Sequence, residues 1–209
     1  MEGTSTQQIK KICVFCGSSV GKNEMFAEAA KNLGKTLAER KIHLVYGGGT
    51  LGLMGSVSTA AHLEGTQVLG IIPEALAEGN ITGTTVGEEL RVSSMYDRIT
   101  KMIEHSDAFI ALPGGFGTLE EIFHSVSWAQ LNIHNKPVGL LNICNYYDDL
   151  LIFLDKAVDQ NFISQNARSM LISASTADQL IDELQTFIHK PDVKIDWSPP
   201  SNKKRKLDD

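Results

Sequence analysis

The residues best suited to chemistry fall in one stretch, Pro113-Gly114-Gly115-Phe116-Gly117-Thr118-Leu119-Glu120-Glu121. Glycine lets a backbone approach an anion closely, and a loop that opens a helix offers free N–H groups and a dipole that favour phosphate. Two carboxylates, Glu120 and Glu121, follow in the first helical turn. The helix dipole alone stabilises acids there. Beside an anion site they gain a second rationale, because a carboxylate steadies the positive charge that a ribosyl carbon develops as its bond to a base breaks. Upstream, Ser94 and Asp97 have capping-box spacing, and Arg98, Lys101 and His105 share a helix face by i, i+3 and i+4. One reading of that face is solvated charge. The other is a guanidinium, that of Arg98, gripping phosphate in two-pronged fashion, with Lys101 and His105 as weaker candidates.

These residues need elements to hold them. Short apolar runs at 12–16, 44–46, 68–72, 108–112 and 138–141, with a weaker one at 170–173, alternate with segments of helical period. Near-continuous Val, Ile and Leu in such runs means burial on both faces, so the chain predicts a single α/β domain, a Rossmann-like doubly wound parallel sheet with helices on both faces. Helical stripes are Phe26, Ala30, Leu33 and Leu37; Met95, Ile99, Met102 and Ile103; Leu119, Ile122, Phe123 and Val126; and Leu180, Leu184, Phe187 and Ile188. The third stripe turns Glu120 and Glu121 toward the rim. Glycine loops follow the first run (17–21), the second (47–55) and the fourth (113–118). Each alone is an ordinary strand-to-helix turn, but three on the carboxyl edge of one sheet predict an anion-binding rim.

Several chemistries are disfavoured. The second run ends in Tyr46-Gly47, without the carboxylate that holds the ribose of a dinucleotide, and no Gly-Lys-Ser/Thr of a phosphate-binding NTPase loop follows any strand. A net charge of −6 gives no footprint for nucleic acid, and no apolar run is long enough to span a bilayer. Three cysteines suit a reducing compartment, so a cytoplasmic location is expected. Cys13 and Cys16 lie on opposite faces of one strand and read as core thiols. Metal-ligand spacing is absent; His62, His124 and His134 read as surface or capping residues, and Trp128 as core or interface. The domain is expected to span 11–190, between a flexible tail at 1–10 and another at 191–209. Within the second, Lys203-Lys204-Arg205-Lys206 resembles a nuclear-import signal.

The nine-residue stretch fits PGGxGTxxE, and residues 47–55 fit GGGxxGLMG. Over about 11–189 the chain resembles the Lonely Guy family, cytokinin riboside 5′-monophosphate phosphoribohydrolases once labelled lysine decarboxylases. The resemblance implies hydrolysis of the N-glycosidic bond of a cytokinin nucleotide to free base and ribose 5-phosphate, with no metal and no organic cofactor. It also implies at least a homodimer with the site near the subunit interface. Arg98 and Glu121 become the catalytic pair; Gly114, Gly115, Phe116, Gly117, Thr118, Leu119, Glu120 and Ser127 become substrate-binding residues. The chain departs from the pattern at Tyr96 and Ile99, where the family has His and Lys around its arginine, and at Asn80, where an acid commonly precedes Ile-Thr-Gly. These departures motivate one alternative, a non-catalytic nucleotide carrier on the same fold. Pyridoxal chemistry would need a Schiff-base lysine, and the rim loops contain Lys22 alone.

Overall fold

A computed structural model describes residues 8–79, 81–192, 195 and 197. Seven parallel strands form one sheet in the order β4-β3-β2-β1-β5-β6-β7, comprising β1 (Lys11–Phe15), β2 (His43–Tyr46), β3 (Val68–Pro73), β4 (Glu88–Val92), β5 (Ala108–Ala111), β6 (Val138–Leu141) and β7 (Leu171–Ala174). The crossovers are α1 (Glu24–Glu39), α2 (Gly52–Leu63), the short α3 (Glu74–Glu78), α4 (Met95–Glu104), α5 (Phe116–Gln130), α6 (Asp148–Asp159) and α7 (Gln165–Ser169), with α8 (Ala177–Thr186) closing the fold.

Alternation along each strand sorts the core into two layers. Ile12, Val14, Leu44, Tyr46, Ile110 and Leu112 pack with α1, α2 and α8 on one face; Cys13, Phe15, Val45, Phe109 and Ala111 pack with α4 and α5 on the other. Cys13 and Cys16 accordingly fall in opposite layers, both buried and free. The order of strands reverses between β1 and β5, where open α/β sheets form their ligand crevice.

The structure differs from the sequence reading at identifiable places. β4, with sequence EELRV, has no apolar run because it is an edge strand that needs only Val92 inside, its charges facing water. Met95 does not join the core stripe of α4; it is 53% exposed. α8 stops at Thr186, so Leu180 and Leu184 are buried whereas Phe187 is extended and Ile188 exposed. His134 takes the capping alternative: half-buried, its Nδ1 accepts from Lys136 N (3.2 Å), and burial pulls its pKa down to about 4.

Both terminal boundaries extend further into the fold than the sequence suggested. Ile9 belongs to the core, while Asp192 accepts from Asn166 Nδ2 (2.9 Å) and Trp197 Nε1 donates to Leu131 O (2.8 Å). The basic cluster at 203–206 and Asn80 lie outside the described residues.

Candidate active site

At the switch point the loops after β1 and β5 touch: Gly17 N donates to Pro113 O at 3.0 Å. Of the three glycine loops, the one after β5 leaves its helix N-terminus most open. Asn23 caps α1 by accepting from Met25 N. At α2, Leu53 N donates to Gly17 O (3.0 Å), and Gly52, at φ +61°, is pressed so closely on the Ser18–Ser19 backbone that a Cβ would lie 2.3 Å from it. Gly17, Ser18 and Gly47 of the other two loops line the same cavity, and the loop after β5 supplies its uncapped helix. α5 begins after Gly115 with no side-chain cap, leaving the amides of Phe116, Gly117 and Thr118 without helical acceptors.

That loop is braced from behind. Tyr146 Oη donates to Gly114 O (2.5 Å) and Tyr147 Oη to Leu112 O (2.6 Å), two struts from the segment after β6. Gly114 packs against the first turn it precedes, where a Cβ would meet Thr118 Oγ1 at 2.1 Å. At Gly117 a Cβ would meet nothing within 4 Å. The two glycines thus predict opposite phenotypes. Gly114→Ala displaces the loop and should destabilise the protein by about 1–3 kcal/mol, as overpacking does. Gly117→Ala gains helix propensity and should melt no lower than the parent, yet its methyl enters the space an anion would occupy and raises KM. Paired melting curves and steady-state kinetics check both.

Below the loop lies a cavity of about 360 Å³, lined by Gly115, Phe116, Gly117 and Thr118 on one side, Arg98 and Glu121 in its floor, and Gly47, Met54, Leu76 and Thr82 on the other side. Arg98 Nη1 donates to Glu121 Oε1 at 2.5 Å, Nε donates to Ile71 O at 3.2 Å, and Nη2 lies so close to Gly47 that a Cβ there would be 2.5 Å away. The side chains are 12% and 9% exposed, so the pair is nearly dry. Burial pushes the Glu121 carboxyl above its ordinary pKa, the Arg98 charge pulls it back, and the nearby Glu120 adds to the rise. With Nε and Nη1 engaged, Arg98 holds and charges Glu121, and its Nη2 is the nitrogen left with donors for a further acceptor.

The residues proposed from sequence divide accordingly. Arg98, Glu121, Gly115, Phe116, Gly117 and Thr118 line one cavity. Gly114 supports the loop and lines a neighbouring cleft with Phe26 and Tyr146. Leu119 and Glu120 do not line the cavity, and Ser127 lines a separate cleft of about 120 Å³ against α6 and α7. Glu121 itself faces inward rather than toward the rim, since the buried face of α5 is Thr118, Glu121, Ile122, Ser125 and Ala129. Lys101 is paired outward with Glu104 (2.7 Å), and Trp128 packs on the core away from the cavity, tilted against His124. Cys16, Met54, Leu76, Thr82 and Met102 also line the cavity and were not anticipated. The thiol of Cys16 is pushed up by burial, which leaves it protonated and unsuited to nucleophilic catalysis. No lysine is among the lining residues, so a Schiff base has no anchor in this cavity.

A doubly wound parallel sheet, with an uncapped helix N-terminus over a dry Arg–Glu pair, defines a Rossmann-like α/β protein. The model of the family described as "Possible lysine decarboxylase" matches residues 54–184, and the chain belongs to this family. Among relatives, the cytokinin riboside 5′-monophosphate phosphoribohydrolase LOG3 of Arabidopsis thaliana is 53% identical over 189 residues, 90% of this chain and 88% of its own. LOG4 of the same plant, which carries the same enzyme name, is 55% identical over 85% of this chain and 82% of its own. Among solved structures, the molybdenum cofactor binding protein from Rippkaea orientalis shares the fold at TM-score 0.61 and 21% identity, covering 84% of this chain and 95% of that one.

Proposed function

We propose that the protein hydrolyses the N-glycosidic bond of cytokinin riboside 5′-monophosphates, releasing the free base and ribose 5-phosphate. The relatives named for this activity match 85–90% of the chain at 53–55% identity, well beyond a shared fold. The observation that carries the reading is the buried Arg98–Glu121 pair directly beneath the open N-terminus of α5.

The amides of Phe116, Gly117 and Thr118 bind the 5′-phosphate, which places the ribose over the floor of the cavity. As the bond from C1′ to the base nitrogen breaks, its electrons leave with the base and C1′ becomes electron-poor. The Glu121 carboxylate, held ionised by Arg98, stabilises that carbon and orients the water that attacks it; the water's oxygen bonds to C1′, and the proton it sheds ends on the departing base nitrogen. Incubating the protein with isopentenyladenosine monophosphate and with AMP, then measuring released base, tests the assignment. No base at high enzyme concentration would overturn it in favour of a carrier.

The site is completed by a second copy of the chain. Phe116 is 93% exposed at the mouth, and Ile81, Met95 and Tyr96 are exposed as well, apolar surface that favours association. By i+3 and i+4 spacing Leu119 and Glu120 share the Phe116 side of α5, Leu119 packing in part on the core and Glu120 exposed. Light scattering should give twice the 22.8 kDa chain mass, and Tyr96→Glu should shift it toward the monomer.

A further inference from the structure

We infer that Thr82 is the residue that reads the base of the bound nucleotide. The inference rests on the assignment above and extends it to the far end of the cavity. Thr82 sits on the segment between α3 and β4, and it lines the cavity opposite the loop after β5. Its hydroxyl oxygen is sealed from solvent and has no hydrogen-bond partner. An orphaned buried hydroxyl is a standing cost, and a ligand that pairs with it relieves that cost. A single χ1 step of about 120° carries the hydroxyl of a threonine to a neighbouring staggered position on Cβ and moves the methyl on in turn, so this oxygen can face the cavity without any movement of the backbone.

The backbone is in fact pinned. Thr50 N donates to Thr82 O (2.8 Å), Thr85 Oγ1 to Gly48 O (2.9 Å), and Val86 N to Tyr46 Oη (2.7 Å). The glycines after β2 are the bed for this segment: a Cβ on Gly49 would lie 2.8 Å from Thr82 O and 2.9 Å from its Cβ. Gly49 thus positions Thr82, while Gly47 makes room for the Arg98 guanidinium.

Placement along the sheet says what Thr82 meets. The phosphate loop follows β5, Arg98 spans the ends of β2 and β3, and Thr82 is docked on the turn after β2 beside β3. From β5 to β3 is three strand spacings, roughly 14 Å, about the length of an extended nucleoside monophosphate. With phosphate on α5 and C1′ above Glu121, the base reaches Met54, Leu76 and Thr82. The two apolar side chains pack on its faces, and the hydroxyl donates to a ring nitrogen or accepts from an exocyclic N–H.

Calorimetric titration of the full chain carrying Glu121→Gln, so that AMP is bound without being cleaved, with AMP and with ribose 5-phosphate, which has no base, tests this. Thr82→Val, which keeps the shape and deletes the hydroxyl, should weaken AMP binding about tenfold and leave ribose 5-phosphate unchanged. Thr82→Ser should restore AMP binding. Unchanged AMP affinity in Thr82→Val, or an equal loss for both ligands, would overturn the inference. Because the readout is binding, it stands apart from the base-release assay: a wild-type protein that releases no base sinks the enzymatic assignment and leaves this comparison interpretable.

Discussion

Glu121→Gln should fold, bind AMP with the affinity of the parent, and turn over substrate hundreds of times more slowly. The amide fills the same volume in the dry floor of the cavity and still accepts from Arg98, so the fold loses little. What it lacks is the negative charge that acts on C1′ only as the glycosidic bond opens. An interaction made in the transition state alone appears in kcat and not in KM, and removing such a group costs about 2.7–4 kcal/mol. Single-turnover kinetics beside an AMP titration separate the two quantities; a variant with full kcat removes Glu121 from the chemistry. The parent's pH profile carries the same signature. Burial raises the Glu121 pKa and the ionised form is the active one, so kcat/KM should fall with decreasing pH at a higher pH than for an ordinary glutamate.

Arg98→Ala should be the most damaging single change to the fold as well as to activity. It strips the counter-ion from a carboxylate that is only 9% exposed, and leaves Ile71 O without its donor. Breaking a buried pair from one side typically costs about 3–5 kcal/mol, much of it the penalty of stranding the other charge. Arg98→Met with Glu121→Gln removes both charges and should recover most of that stability while remaining inactive. Urea unfolding of the single and double variants measures the coupling. Stability in the double variant no better than in Arg98→Ala would mean that packing of the guanidinium, rather than its charge, is what the fold needs. Any activity left in Arg98→Ala should show its acid limb displaced further upward, since the charge that lowers the Glu121 pKa is gone.

Much of this architecture was legible because burial on two faces leaves continuous apolar runs, and five interior strands carried them. The edge strand β4 did not, since its outer side needs charge rather than Val or Ile. The motif residues 115–118, Arg98 and Glu121 were found from spacing and family pattern, but their orientation was not. Helical period placed Glu121 at the rim because a carboxylate counts as polar; it belongs to the buried face because a guanidinium from another element meets it there. The glycine tract 47–49 was misread for a related reason. Glycine marks close approach, and sequence cannot say whether the approaching group is a phosphate or, as here, a guanidinium and a neighbouring loop. Thr82 and the tyrosine struts gave no signal at all, because their roles depend on segments far apart in the chain.

Trp197 meets the fold at Leu131, just past the C-terminal end of α5, whereas the cavity opens at that helix's beginning. The two lie on opposite rims of the sheet. A reporter fused after this tryptophan, or a resin gripping the protein by that end, would therefore start from the underside and leave the nucleotide's way in unobstructed.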